Sequence, residues 1–150
     1  MPRVRENDTD HARAALLHAC FDALNRGAVE SWVACFAEDA SSEDMPLGTV
    51  WKGRDQLEAG FRQWVAAIPD THMEVARIFA HDHFAAARWT LSGTLRGALD
   101  GIPPELAAAA EGKGFSVRGA TLYEFSADGL IQRESLYWNL AEALSQFGLL

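Results

Sequence analysis

The feature that most constrains this fold is a pair of strand-like stretches joined by a tight turn, over residues 115–138. Both stretches are rich in aromatic and β-branched residues, which favour strands. Asp128-Gly129 lies between them, and its glycine supplies the positive φ that a hairpin reversal needs. One face of the second strand carries Gln132, Glu134, Leu136 and Trp138. Because this face mixes a carboxylate with Leu and Trp, it suits the wall of a pocket better than a dry core.

The rest of the chain changes from helical to strand periodicity. Three helices are expected before the sheet: one capped by Asp8, Thr9 or Asp10 and ending at Gly27, a short one from Val29 to Phe36, and one from Arg54 to Ile68 that Pro69 stops. Two further strands are predicted at His72–Phe79 and Phe84–Leu95. The connecting segments are an extended stretch at Ala40–Pro46, a loop around Trp51, a loop with a helical turn at Ala98–Gly114 and an amphipathic tail at Leu140–Leu150.

This pattern predicts one α+β domain over residues 1–150, with a frayed polar tail at residues 1–8. Three N-terminal helices laid on one face of a curved, mainly antiparallel sheet would form a cone-shaped α+β barrel. Such a cone leaves a hollow suited to a small molecule, of roughly 300–1,000 Å³.

Composition excludes several partners. The formal charge of −8, from 13 basic and 21 acidic residues, argues against nucleic-acid binding, which needs a basic stripe. No apolar run approaches the ~18 residues that a membrane span requires. Cys20 and Cys35 are the only cysteines and lie in helical patterns, so we expect reduced, buried thiols and a cytoplasmic location.

Four segments carry a resemblance to known families. Residues 36–48 (FAEDASSEDMPLG) resemble the segment that holds the catalytic base of ketosteroid isomerases. Residues 88–97 (RWTLSGTLRG), 101–104 (GIPP) and 137–150 (YWNLAEALSQFGLL) resemble the SnoaL-like polyketide cyclases. Both families share the cone-shaped fold of nuclear transport factor two. The resemblance implies a homodimer formed through the outer sheet face and chemistry without a metal or organic cofactor.

The resemblance also assigns candidate site residues. Asp44 matches the proton-abstracting Asp of the isomerases, whereas Thr121 and Cys20 fall where that family keeps its oxyanion-binding Asp and Tyr. A thiol is a weak donor and Thr a neutral one, so this pattern argues against steroid isomerisation. The cyclases place their acid/base carboxylate on the last strands, where Glu134 is the nearest carboxylate here.

Strand parity and the helical stripe add further candidates for substrate contact. Trp64 comes from the stripe of the third helix, Trp138 and Leu136 from the last strand, and Tyr123 from the face that it shares with Thr121. Interpretations without a functional role also remain open for several of these residues. Asp44 could be an exposed carboxylate beside Glu43, and Glu134 could pair with Arg118 or Arg133 across the hairpin. His81-Asp-His83 is more economically a polar turn than a metal site.

Two hypotheses of function therefore remain. The first is a cyclase or isomerase in which Asp44 or Glu134 abstracts a proton α to a carbonyl of a small, apolar, aromatic or polycyclic molecule, with Thr121 or Tyr123 hydrogen-bonding the oxyanion. The second is a non-catalytic protein of the same fold that binds a small ligand or serves as a dimerisation module.

Overall fold

A computed structural model describes residues 7–150. Over these residues the chain forms five helices and six strands. In chain order they are α1 Asp8–Arg26, α2 Val29–Val33, β1 Phe36–Asp44, β2 Thr49–Lys52, α3 Gly53–Ala67, β3 His72–His81, β4 Phe84–Thr94, α4 Pro104–Ala110, β5 Gly114–Phe125, β6 Ile131–Trp138 and α5 Leu140–Gln146. The polar tail was predicted for residues 1–8. Residues 1–6 lie outside the described part, and Asn7 and Asp8 belong to the start of α1.

The strands form one open sheet in the order β2-β1-β6-β5-β4-β3. All neighbours are antiparallel except β1 and β6, which run parallel. The α+β class, the mainly antiparallel sheet and the four strands of residues 72–138 were therefore predicted correctly. The one parallel pair makes the sheet mixed, and the sheet does not close into a barrel. Helices α1 and α3 contact β3 and β1 respectively.

The sequence prediction was wrong on the strands between the second and third helices. The extended stretch begins at Phe36, and Thr49–Lys52 is a strand instead of a loop. The polar sequence of β1 gives no strand signal. The segment is nevertheless a strand, because pairing on both sides, with β2 and β6, stabilises it. The order is thus two helices, a strand pair and a third helix, followed by four strands interrupted by α4.

The N-terminus of α1 is anchored to the far edge of the sheet. Asn7 is the N-cap and forms a capping box with Asp10, so the predicted caps Asp8, Thr9 and Asp10 were one to three residues late. The buried Asp10 carboxylate also accepts a hydrogen bond of 2.9 Å from the backbone N–H of Asp82, in the β3–β4 turn. That bond lowers the pKa of Asp10. The helix ends as predicted at Gly27, whose φ is 64°.

Gly119 allows β5 to pass closely beneath the indole of Trp89. A Cβ at position 119 would lie 2.6 Å from the carbonyl oxygen of Tyr137 and 2.8 Å from Cζ2 of Trp89. Trp89 is buried, and its Nε1 donates a 2.9 Å hydrogen bond to Oγ1 of Thr121. Neither neighbour can yield easily, since one is backbone of a paired strand and the other a fixed ring.

We therefore expect Gly119→Ala to lower the free energy of unfolding by about 1–3 kcal/mol through overpacking. Urea unfolding followed by tryptophan fluorescence measures this. Gly114→Ala on the same strand is the control, because its added Cβ would meet only the carbonyl oxygen of Gly93, at an ordinary 3.7 Å. Equal stability of the two variants would contradict the packing argument.

A candidate site with two carboxylates in an apolar cavity

The concave face of the sheet and the helices enclose a cavity of about 180 Å³. This volume is smaller than the roughly 300–1,000 Å³ expected from the sequence. Its walls are almost entirely apolar. Trp32, Trp51, Trp64, Trp89 and Trp138 all line it. The hollow can hold a molecule of modest size.

Glu134 reaches this cavity from the middle of β6. It is only 7% exposed, and its nearest partner is Ser42, whose Oγ donates a 2.7 Å hydrogen bond to Oε1. Parallel pairing of β1 and β6 places these two residues opposite each other. Burial raises the pKa of Glu134 to about 7, with the hydrogen bond from Ser42 opposing the rise and the charge of Asp44 adding to it. The carboxyl group therefore titrates near neutral pH.

Asp44 ends β1, two residues beyond Ser42, and faces the same cavity. Its Oδ1 accepts hydrogen bonds from the backbone N–H of Leu47, at 3.1 Å, and from Nε1 of Trp138, also at 3.1 Å. Burial raises the pKa of Asp44, against the effect of these two donors. The donors fix the orientation of the carboxylate while its desolvation makes it a better base than an exposed Asp.

The alternative interpretations, an exposed Asp44 beside Glu43 and a Glu134 paired with arginine, do not fit this geometry. Asp44 is a partly buried cavity residue, and its neighbour Glu43 points elsewhere, to a 3.7 Å ion pair with Arg133. Glu134 is paired with Ser42 and with neither Arg118 nor Arg133. The alternation of side chains along β1 and β6 separates the two sets.

The remaining predicted contact residues also line the cavity: Cys20, Trp64, Thr121, Tyr123, Leu136 and Trp138. Their roles stay predictions. The Thr121 hydroxyl already accepts the hydrogen bond from Trp89. Burial, followed by the charge of Glu134, raises the pKa of Tyr123, so this phenol is protonated at neutral pH and can donate. A hydrogen bond with Cys35, followed by burial, raises the pKa of Cys20, which is therefore a neutral thiol.

Sequence reasoning missed two groups of cavity residues. Ser42 was overlooked, although its position two residues before Asp44 on a strand places it on the same face. The other group closes one side of the cavity and comes from α4, the loop before it and α5. Its members include Leu99, Ile102, Leu106, Leu140, Leu144 and Phe147. The apolar spacing of α5 signalled an inward face, whereas the Ala-rich segment of α4 gave no clear signal.

His81 and His83 flank Asp82, whose φ of 59° marks the tight β3–β4 turn. In the described residues, no group of three or more His, Cys, Asp or Glu side chains could hold a metal ion. None of the helices formed by these residues is both long enough and apolar enough to cross a membrane.

The fold and the cavity together define the class of protein. Helices covering the concave face of a curved sheet, with a cavity between them, are the arrangement of the nuclear transport factor two-like class, which includes the ketosteroid isomerase-like proteins. Within that class the chain belongs to the SnoaL-like domain family, which matches residues 17–134.

Solved structures agree with this class. A candidate polyketide cyclase from Xanthomonas campestris is 22% identical, with a TM-score of 0.79 over 93% of this chain and 99% of that one. A candidate SnoaL-like polyketide cyclase from Jannaschia sp. CCS1 is 17% identical, with a TM-score of 0.79 over 96% of each chain. A protein with a ketosteroid isomerase-like fold from Catenulispora acidiphila is 21% identical, with a TM-score of 0.74 over 90% of this chain and 93% of that one. The comparison with curated proteins gave no match.

Proposed function

We propose that this protein is a cyclase or isomerase that abstracts a proton α to a carbonyl group of a small, apolar substrate. The observation that carries the proposal is the presence of two carboxylates, the buried Glu134 and the partly buried Asp44, on one wall of an otherwise apolar cavity. A base needs access to its substrate and a pKa raised toward the working pH. Burial raises the pKa of both carboxyl groups. Family membership supports the same class of chemistry.

In this proposal Asp44 is the base. It accepts the proton from the α-carbon while the electron pair of the broken C–H bond moves to the carbonyl oxygen, forming an enolate. The protonated hydroxyl of Tyr123 donates a hydrogen bond to that oxygen and stabilises the developing charge. Asp44 then returns the proton at another atom of the substrate, while Glu134, which titrates near pH 7, sets the charge of the cavity. The enolate carbon can instead attack a second carbonyl of the same molecule, which closes a ring.

The experiment is deuterium exchange, which needs no knowledge of the natural substrate. Exchange of the α-protons of 2-tetralone or 1-indanone in D₂O is followed by NMR with wild-type protein and with the Asp44→Asn/Glu134→Gln variant. We expect the wild-type protein to accelerate exchange and the double variant to lose the acceleration. Glu43→Gln is the control, because that side chain lies on the same strand but pairs with Arg133 outside the cavity. Absence of exchange by wild-type protein that still binds these ketones would favour the non-catalytic binding protein.

We also infer that the protein is a homodimer, associated through the outer face of the sheet. Large apolar side chains are exposed there on four adjacent strands: Phe79, Phe84, Leu122 and Tyr137. Phe84 is 59% exposed and Leu122 is 51% exposed. Leu122 lies between Thr121 and Tyr123, which face the cavity, so strand alternation places it on the opposite side. Exposed apolar patches of this kind mark association surfaces.

Leu122→Glu is expected to convert particles of twice the 16.4 kDa chain mass into monomers, because it places a charge in the centre of this patch. Size-exclusion chromatography with light scattering at micromolar concentration measures the mass. Leu150→Glu is the control, since Leu150 is exposed but follows α5 and belongs to none of the four strands that carry the patch. A wild-type protein that is already monomeric would contradict the inference.

The predicted cytoplasmic location stays a prediction.

A further inference from the structure

The cavity combines negative charge with an absence of basic side chains. Asp44 and Glu134 line it, together with the neutral acids Cys20 and Tyr123. Within residues 7–150, no Lys, Arg or His side chain lines this cavity. Buried carboxylates in proteins are normally paired with a cation or fully hydrogen-bonded, since desolvated charge is costly. The two carboxylates of this cavity therefore have no cationic side chain to pair with.

Glu134 is the group that lacks a full set of partners. The side chain is more than nine-tenths buried and lines the cavity. Its Oε1 accepts the hydrogen bond from Ser42, and no other hydrogen bond is formed to this carboxyl group by the described residues. A carboxylate can accept about four hydrogen bonds, so Oε2 is free to interact with a group inside the cavity. Asp44, by contrast, is held by Leu47 and Trp138.

The walls that face these carboxylates are unusually aromatic. The walls include the indole rings of Trp51, Trp64 and Trp138. The ring of Trp32 is instead covered by Phe36 and Phe61, each at a ring-centroid distance of 4.6 Å. The face of an indole attracts a cation through its quadrupole, and this attraction is strongest where water is excluded. Aromatic faces combined with carboxylates suit an organic ammonium group with apolar substituents. A metal ion would instead require several oxygen or nitrogen ligands, and the described residues offer no such group.

We propose that this cavity selects a small hydrophobic organic cation, a tertiary or quaternary ammonium compound, over a neutral molecule of the same shape. The inference rests on the proposed function, because it takes the cavity as the substrate site. It implies that the substrate is a carbonyl compound that bears an ammonium group. A positive charge beside the carbonyl would stabilise the enolate. The same charge balances Glu134, which a neutral substrate leaves unpaired.

The preference depends on pH in a defined direction. Glu134 loses its proton as the pH rises through about 7, so the negative charge in the cavity increases over that range. The titratable groups facing Glu134 are Asp44 on β1, Tyr123 on β5 and the thiols Cys20 and Cys35. Burial raises the pKa of Tyr123, and the hydrogen bond with Cys35, followed by burial, raises the pKa of Cys20, so neither group opposes the change. The same hydrogen bond lowers the pKa of Cys35, whose ionisation would add negative charge in the same direction. The affinity for a permanently charged cation therefore increases from pH 5.5 to pH 8.

The test compares two isosteric probes, phenyltrimethylammonium and tert-butylbenzene, which differ by one positive charge. Isothermal titration calorimetry measures both dissociation constants. At pH 8 we expect the cation to bind the wild-type protein about tenfold more tightly, or better, and the ratio to fall at pH 5.5. Glu134→Gln should remove most of this preference, measured as the ratio of the two dissociation constants. Glu43→Gln should retain the preference, because that side chain lies outside the cavity.

Equal affinities of the two probes for wild-type protein would overturn the inference, as would failure of both to bind. An effect of Glu43→Gln equal to that of Glu134→Gln would also overturn it, because the preference would then reflect surface charge. The calorimetry involves no turnover, so its outcome is separate from the exchange assay. Exchange without cation preference rejects this inference alone. Cation preference without exchange, for the neutral ketones and for a ketone that bears a trimethylammonium group alike, rejects the enzyme and leaves a cation-binding protein.

Discussion

Asp44→Asn is expected to lower the rate of α-proton exchange by about 100-fold or more, the usual contribution of a positioned base. An amide cannot accept the proton, yet its oxygen can still accept the hydrogen bonds from Leu47 and Trp138. The fold and the cavity should therefore be retained, and the loss should be chemical. The rates are measured by NMR exchange, and near-ultraviolet circular dichroism checks that the tryptophan environments are unchanged.

The pH profile separates the roles of the two carboxylates. Wild-type exchange should show an inflection near pH 7, where Glu134 titrates, and Glu134→Gln should remove that inflection while retaining part of the rate. If Asp44→Asn retained the wild-type rate while Glu134→Gln abolished it, Glu134 would be the base. Retention of the rate by both single variants would contradict the proposed mechanism.

Glu134→Gln is expected to stabilise the protein at pH 8, even if it impairs its activity. The pKa of Glu134 is raised from 4.5 to about 7 in the folded state, so between these values the folded protein binds more protons than the unfolded chain. Stability from this group is therefore complete below pH 4.5 and is lost as the pH rises through 7, a decrease of roughly 3 kcal/mol. A glutamine cannot ionise, and its amide oxygen still accepts the hydrogen bond from Ser42.

Thermal unfolding at pH 5 and pH 8 tests this expectation. The wild-type protein should lose several degrees more than Glu134→Gln between the two pH values. Glu43→Gln is again the matched control and should follow the wild type. If the midpoint temperature of the wild-type protein rose between pH 5 and pH 8 relative to that of Glu134→Gln, the effect would have the opposite sign. That result would contradict the claim that ionisation of the buried Glu134 destabilises the fold.

Much of the sheet could be predicted because its signals are local. The alternation over residues 115–138, with glycine at position 129, determined the β5–β6 hairpin, and the same parity placed Thr121, Tyr123, Leu136 and Trp138 on the cavity side. The stripe of α3 identified Trp64 in the same way. A period of two or 3.6 residues is a property of the chain itself, so tertiary contacts are not needed to recognise it.

The features that were missed depend on contacts between distant segments. Strand β1 has the polar sequence FAEDASSED, and it becomes a strand because β2 and β6 pair with it. Ser42 gains its importance only from Glu134, which lies opposite it across that pairing. The cavity volume likewise depends on how five Trp side chains pack, which no sequence pattern specifies.

The parallel pairing of β1 with β6 has a consequence for how the molecule acquires its chemistry. Ser42 and Glu134 are 92 positions apart along the chain, so their meeting requires the closure of a very large loop. Hairpins such as β3–β4 and β5–β6 close over short distances and can form early, whereas this long-range pairing forms late. A chain in which β6 has not yet paired with β1 can have most of its helices and strands but no site. The site therefore forms only when this single long-range pairing forms.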